Sequence, residues 1–170
     1  MRKLLAAPDP GPVLLAMAGA GVLGRVMPGA APERRAAGLA HGPRDWVWRA
    51  ARLGGDAEGW RLSRAEAKDL AALSEAADGG ASPFALGDML GARGADAVRL
   101  RAARRGAAAD AGALALAERG AAAAFPLAAA DLMPGLTGLD LGRALDAART
   151  QWRESEGALD KAALMARVAR

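Results

Sequence analysis

The stretch SRAEAKDLAALSEAA, residues 63–77, carries the clearest structural signal in this chain of 170 residues. Ser63 followed three residues later by Glu66 predicts a capping box, in which each side chain binds the backbone amide of the other at a helix start. The apolar residues that follow recur at spacings of three and four and predict one apolar helix face: Ala67, Leu70, Ala71 and Leu73. Gly79 and Gly80 then predict the end of the helix.

Start and stop signals of the same kind recur along the rest of the chain. They predict helices at about residues 1–7, 13–26, 45–53, 82–90, 96–105 and 110–124, from 137 to at least 152, and from 160 onward. Among these signals, Thr137 with Asp140 predicts a second capping box. Hydrophobic residues form 52% of the chain and are mostly alanine and leucine, which favour helices over strands. We therefore expect an all-α fold, an irregular multi-helix bundle.

The charge of the chain is positive and dominated by arginine. The net charge is +4, and all but three of the 23 basic residues are arginine. Guanidinium groups suit phosphate because their forked donors bind two oxygens at once. A coding bias toward GC-rich codons would produce the same excess of arginine and alanine, so composition alone leaves both explanations open.

Other bulk features limit the location of the chain. It contains no cysteine, which excludes disulfides, thiolate zinc sites and thiol nucleophiles and fits a reducing compartment. The segment PDPGP, residues 8–12, interrupts the apolar run that a signal peptide would need. No stretch reaches the roughly 20 apolar residues of a membrane-spanning helix. We expect a cytoplasmic protein without a membrane partner.

Three patterns with catalytic associations are better explained without catalysis. Gly19, Gly21 and Gly24 form a G-x-G-x-x-G motif, but alanine-rich sequence rather than a strand precedes it. His41 is the single histidine and falls in a predicted loop, where we expect it to be solvated. Glu154 and Glu156 follow a helix end, so they lack the rigid support that two-metal chemistry requires. The chain therefore offers no metal-ligating or catalytic set.

The strongest basic cluster is RLRAARR, residues 99–105. Helical spacing puts Arg101, Arg104 and Arg105 on one face, which favours a sequence-independent grip on phosphates. A solvated helix face with Asp96 as partial counter-charge is the competing interpretation. No aromatic residue interrupts the cluster, which argues against a base-stacking platform there.

Residues in the last third of the chain form a pattern that resembles the signature of a known protein family. Its elements are an FPL at 125–127, a DLM at 131–133, Gly138, then Leu141, Gly142, Arg143 and Leu145, and finally Trp152. This pattern resembles the tail signature of bacterial CCA-adding tRNA nucleotidyltransferases and related poly(A) polymerases. MRKLLAAPDP at 1–10, GVLGRVMPG at 21–29 and the Ser63 helix resemble the neck junction and body of that family in the same order.

The resemblance implies a helical neck remnant and body over residues 1–124 and a helical tail over 125–170 that together grip tRNA. The implied RNA-binding residues are arginines of the basic cluster and of the tail helix: Arg99, Arg101, Arg104, Arg105, Arg143, Arg149 and Arg153. In the family, a catalytic head uses Mg²⁺ with ATP and CTP. No head motif occurs in this sequence, so we expect no catalytic residue, no cofactor and no activity from this chain alone. An aromatic residue expected near Gly157 is also missing.

Two other functions stay open from the sequence. One is a subunit of a split nucleotidyltransferase whose catalytic head is supplied in trans. The other is a helical protein-interaction module that docks through its amino-terminal helices. Leu4, Leu5, Leu14 and Leu15 would present an apolar face there and promote self-association. The resemblance does not distinguish CCA addition from poly(A) addition.

Overall fold

The computed structural model describes residues 1–36, 39–40, 42–133 and 135–168, and the prediction for His41 therefore lies outside the described residues. Within these ranges the regular structure is entirely helical, with no strand. The predicted all-α class is confirmed. No helix in the described ranges is both long and apolar enough to cross a membrane.

The chain folds into two compact units, one formed by residues 1–79 and 99–109 and the other by residues 80–98 and 110–170. The predicted boundary between residues 124 and 125 falls within the second unit, and the division into body and tail stays a prediction. The first unit contains α1 (Arg2–Leu5), α2 (Gly11–Gly19), α3 (Leu23–Val26), α4 (Pro32–Arg35), α5 (Trp46–Leu53), a short 3-10 helix (Glu58–Trp60) and α6 (Arg64–Asp78). The second contains α7 (Pro83–Leu90), α9 (Ala111–Ala122), α10 (Ala129–Leu132), α11 (Gly138–Glu154) and α12 (Lys161–Val168), and the unit boundary passes through α8 (Arg93–Arg104).

Helix α5 is the centre of the first unit and contacts α1, α4 and α6. Its start is fixed by Asp45, whose carboxylate accepts a hydrogen bond of 3.1 Å from the amide of Val47. Helix α6 begins with the predicted capping box between Ser63 and Glu66, in which both reciprocal bonds form. Side-chain caps therefore set the starts of the two helices that pack together, and the cap of α6 is the one that the sequence predicted.

A fully buried arginine closes the core of the first unit. Arg49 lies on α5 and is 0% exposed. Its guanidinium donates hydrogen bonds to four backbone carbonyls: those of Leu5 at 2.7 Å, Leu39 at 2.8 Å, Pro8 at 3.4 Å, and Ala7. Burial, and after it the charge of Arg44, lowers the pKa of Arg49. The side chain ties the end of α1 and the turn after it to α5.

Glycines allow α7 and α9 to approach each other closely in the second unit. A Cβ atom at Gly87 would lie 1.9 Å from the carbonyl oxygen of Ala117, and one at Gly120 would lie 2.0 Å from that of Phe84. These are backbone atoms on the facing helix, so they cannot move aside as a side-chain tip would. Only glycine is compatible with this helix crossing.

Six apolar residues of the family pattern lie in or against one hydrophobic core of the second unit, whereas Met133 is 53% exposed. Trp152, 2% exposed, packs edge-on against Phe84 and Phe125, with ring centroids 5.2 and 5.5 Å away. The other members of the cluster from the pattern are Leu127, Leu132, Leu141 and Leu145. Helix α10 begins where the carboxylate of Asp131 accepts a 2.8 Å hydrogen bond from the amide of Ala128.

Three details differ from the sequence-based expectations. The helix predicted over 13–26 is two helices, because Gly21 adopts a left-handed φ of 69° after α2. Thr137 precedes α11 but makes no side-chain capping bond, so the second predicted capping box is wrong. Leu5 and Leu14 were expected on an exposed face and are both 0% exposed, whereas Leu15 is 46% exposed.

Candidate nucleic-acid interface

Two arginines of the basic cluster bind the end of a neighbouring helix in the first unit. Arg101 donates to the carbonyl of Ala76 at 2.8 Å, and Arg104 donates to that of Ser74 at 3.3 Å. The carbonyl of Ala76 lies in the last turn of α6, where a helix carries partial negative charge. Arg104 also binds Asp78 and donates to the carbonyl of Ala51 at 2.7 Å.

The remaining two members of the cluster differ in exposure. Arg105 is exposed and Arg99 is partly buried. Burial, and after it the charge of Arg105, lowers the pKa of Arg101. Of the three arginines expected on one helical face, two thus have guanidinium groups bound to the protein itself, and Arg105 is directed to solvent.

The tail helix α11 presents a different arrangement, built on one buried carboxylate. Asp88 has a side chain only 3% exposed and accepts two bonds from Arg149, at 2.6 and 3.0 Å, and one from Arg153 at 2.6 Å. Burial acts to raise the pKa of Asp88, but the hydrogen bonds and charges of the two arginines outweigh it, so the pKa is lowered. The hydrogen bonds that Arg149 donates to Asp88 are also the first cause of the raised pKa of Arg149.

Arg143 is the most exposed of the tail arginines. Its side chain is 80% exposed, and Asp140 lies 3.8 Å away on the same exposed helix surface. Such a pair contributes little to stability, because both groups keep their hydration. Arg143 is therefore available for a partner, whereas Arg149 and Arg153 already neutralise a buried acid.

The two units carry opposite net charge. Residues 1–79 and 99–109 contain 15 basic and 9 acidic residues, a net charge of +6. Residues 80–98 and 110–170 contain 8 basic and 10 acidic residues, a net charge of −2. The net positive charge of the chain thus comes entirely from the first unit. This division of charge is not apparent from the order of residues in the sequence, because the boundary between the units runs through α8.

The structure also brings together residues that the sequence analysis passed over. Trp46 and Trp60 are 14 positions apart in the sequence, and their ring centroids lie 6.5 Å from each other. The guanidinium carbon of Arg2 lies 5.3 Å from the ring centroid of Trp46. No signal in the sequence separates this pair, because the other two tryptophans each directly precede an arginine as well.

A shallow cavity of about 520 Å³ opens in the second unit beside Trp152 and Phe84. Its wall is largely apolar, from residues 122–124, Pro126 and Leu159, and it includes both cations and acids, Arg119 and Lys161 with Glu156 and Asp160. Several of these polar groups are already engaged, since Lys161 binds Asp131 at 2.5 Å and Asp160 caps α12. The lining does not define one ligand charge.

The remaining motifs have no catalytic geometry in the described part of the chain. Helix α2, not a strand, leads into the Gly19, Gly21 and Gly24 motif. Within the described residues there is no group of three or more acidic or histidine side chains that could hold a metal ion. No protein-family model, curated protein or solved structure matches this chain.

Proposed function

We propose that this chain is the tRNA-gripping body and tail portion of a CCA-adding tRNA nucleotidyltransferase or a related poly(A) polymerase. The observation that carries the proposal is that six scattered apolar residues of the tail pattern have a common packing role. Phe125, Leu127, Leu132 and Trp152 belong to one core, together with Leu141 and Leu145. A pattern that specifies one packed core supports a family signature over a chance match.

The charge distribution supports a grip on RNA that is based on phosphates. A-form RNA is recognised mainly by shape and through its backbone, which needs exposed cations rather than base-specific contacts. The first unit has the required excess of positive charge, +6 over its 90 residues. We propose that its exposed arginines, Arg105 among them, contact phosphates and that Arg101 and Arg104 support that surface from inside.

A charge-removal series tests this assignment. The wild-type chain and Arg105→Ala are titrated into fluorescently labelled tRNA at several salt concentrations. Removing one phosphate contact should flatten the slope of log affinity against log salt by about one unit. Arg167→Ala is the matched control, since it removes an exposed arginine from the unit of net charge −2. Equal slopes for wild type and Arg105→Ala would contradict the role of Arg105.

A second assay addresses catalysis. The chain is incubated with Mg²⁺, CTP, ATP and a tRNA that lacks its terminal CCA. We expect no extension, because the resemblance assigns nucleotide addition to a head whose motifs this sequence lacks. Extension by a contaminant-free sample would contradict the proposal. Extension that appears only when a separate head domain is added would instead identify a split enzyme.

One observation favours a helical protein-interaction module as the second candidate. Helices α2 and α3, with the turn between them, expose four large apolar side chains, Val13, Val22, Val26 and Leu15, at 36–48% of their surfaces. Exposed apolar patches rimmed by polar residues mark protein contact surfaces, and exposed Arg25 lies on α3 between two of these valines. A chain that binds no tRNA at low salt but self-associates in sedimentation experiments would favour this function.

A further inference from the structure

Two tryptophans of the first unit form an aromatic surface outside its core. Trp48 lies inward on α5 at 2% exposure, whereas Trp46, two residues earlier, is only partly buried. A separation of two residues turns a helical side chain by about 200°, so the two indoles point to opposite sides. Trp60, also partly buried, lies against Trp46 with the ring planes tilted by 42°.

Both rings are held in place by polar contacts. The indole N–H of Trp60 donates to the carbonyl of Val26 at 2.7 Å. Arg2 lies against the ring of Trp46 and is itself fixed by the carboxylate of Glu66 at 2.8 Å and the carbonyl of Arg61 at 3.1 Å. Aromatic surface that is already oriented loses little entropy when a ligand stacks on it.

The cations in contact with this surface or next to it in the sequence suit a phosphate-bearing ligand. Arg61 follows Trp60 directly and is exposed, with a left-handed φ of 51°. Arg2, in contact with Trp46, has a side chain 43% exposed, and Arg64, four positions after Trp60, is exposed as well. A flat aromatic face beside exposed guanidinium groups is the arrangement with which proteins bind single-stranded nucleic acid.

We propose that the surface formed by Trp46, Trp60 and Arg2 is a stacking site for an unpaired nucleotide of RNA. The base stacks on the exposed indole surface, and its phosphate contacts Arg61 and neighbouring arginines. A base in a duplex is already stacked, so the site takes nucleotides from loops or single-stranded ends. The inference extends the proposed tRNA function, because it adds a base contact to a phosphate grip.

The test compares two substitutions at Trp60 in the full chain. Trp60→Phe and Trp60→Leu both remove the hydrogen bond to Val26, but only Trp60→Leu removes the aromatic face. Binding of a fluorescently labelled hexauridine is measured by anisotropy at about 50 mM salt, where phosphate contacts are strong. Circular dichroism establishes that each variant is folded.

We expect Trp60→Phe to bind hexauridine within a few-fold of wild type and Trp60→Leu to bind it roughly 5- to 150-fold more weakly. Indole fluorescence of the wild type should also be quenched by the oligonucleotide, and the quench should disappear when both Trp46 and Trp60 are phenylalanine. Equal affinity of Trp60→Leu and wild type would overturn the stacking site. Equal losses in both Trp60 variants would also overturn it, since they would trace to the lost hydrogen bond.

A parallel titration with tRNA separates this inference from the proposed function. Binding of tRNA without binding of hexauridine would overturn the stacking site and leave the tRNA function standing. Binding of hexauridine with the expected Trp60 response, but no binding of tRNA, would do the reverse.

Discussion

Replacing the buried Arg49 should destabilise the first unit more than any single surface change. In Arg49→Met the aliphatic stem keeps its packing, and the hydrogen bonds to the carbonyls of Leu5, Ala7, Pro8 and Leu39 are lost. A hydrogen bond from a charged group contributes about 1.5–3 kcal/mol, and a buried carbonyl left without a donor costs about 1–3 kcal/mol.

The losses at these four carbonyls do not add fully. The variant also avoids the burial of a charge, which in the wild type lowers the pKa of Arg49. It further removes the Nε atom of Arg49, which is buried without a hydrogen-bond partner. Balancing these effects gives a net loss of about 3 kcal/mol, the upper part of the usual range for a single substitution. For a unit of 90 residues this corresponds to a fall in melting temperature of at least roughly 12 °C.

Thermal and urea unfolding followed by circular dichroism measure this change. Arg25→Met is the matched control, because Arg25 is exposed on α3 and its replacement should alter stability by less than about 0.5 kcal/mol. Arg49→Lys should fall between wild type and Arg49→Met, since an ammonium group has three donors but not the span of a guanidinium. An Arg49→Met variant as stable as Arg25→Met would refute the conclusion that the hydrogen bonds of Arg49 stabilise this unit.

Two further predictions concern the second unit. Gly120→Ala should lower the free energy of unfolding by about 3 kcal/mol, because its Cβ would meet the Phe84 carbonyl at 2.0 Å. Gly142→Ala, with open space around the new Cβ, should be neutral or slightly stabilising in the same chemical unfolding measurement. Equal stability of the two variants would contradict the close helix crossing. The lowered pKa of Asp88 means that its ion pairs stabilise fully above the unfolded-state value of about 3.9 and are lost as the pH falls through the folded value. Asp88→Asn should therefore melt below wild type at pH 7 and approach it near pH 2, and a difference independent of pH would count against this role.

The helices were largely predictable because their signals are local. Asp45, Ser63, Ser82 and Asp110 each accept a backbone hydrogen bond at the start of a helix, at the positions where the sequence predicted helices to begin. Thr137 failed as a cap although it has the right residue type. Gly138, the first residue of α11, has a left-handed φ of 55°, a backbone geometry at the helix start that the type of the capping residue does not reveal.

The contacts that assemble the units were not predictable. Arg49 has no sequence feature that separates it from the other arginines, and its burial depends on carbonyls 10 to 44 residues away. Arg101 and Arg104 were expected at the surface because helical spacing groups them with Arg105. Spacing identifies a shared face but not what lies opposite, and here the end of α6 lies opposite.

The most direct test of the account is the salt dependence of tRNA affinity for the wild-type chain. A grip based on phosphates predicts measurable binding at about 50 mM salt, with log affinity falling linearly against log salt at a slope of roughly −3 or steeper. The slope should be similar for tRNAs of different sequence, because the contacts are to the backbone. No binding at about 50 mM salt, or an affinity that is unchanged up to about 300 mM, would contradict the proposal that this chain grips tRNA.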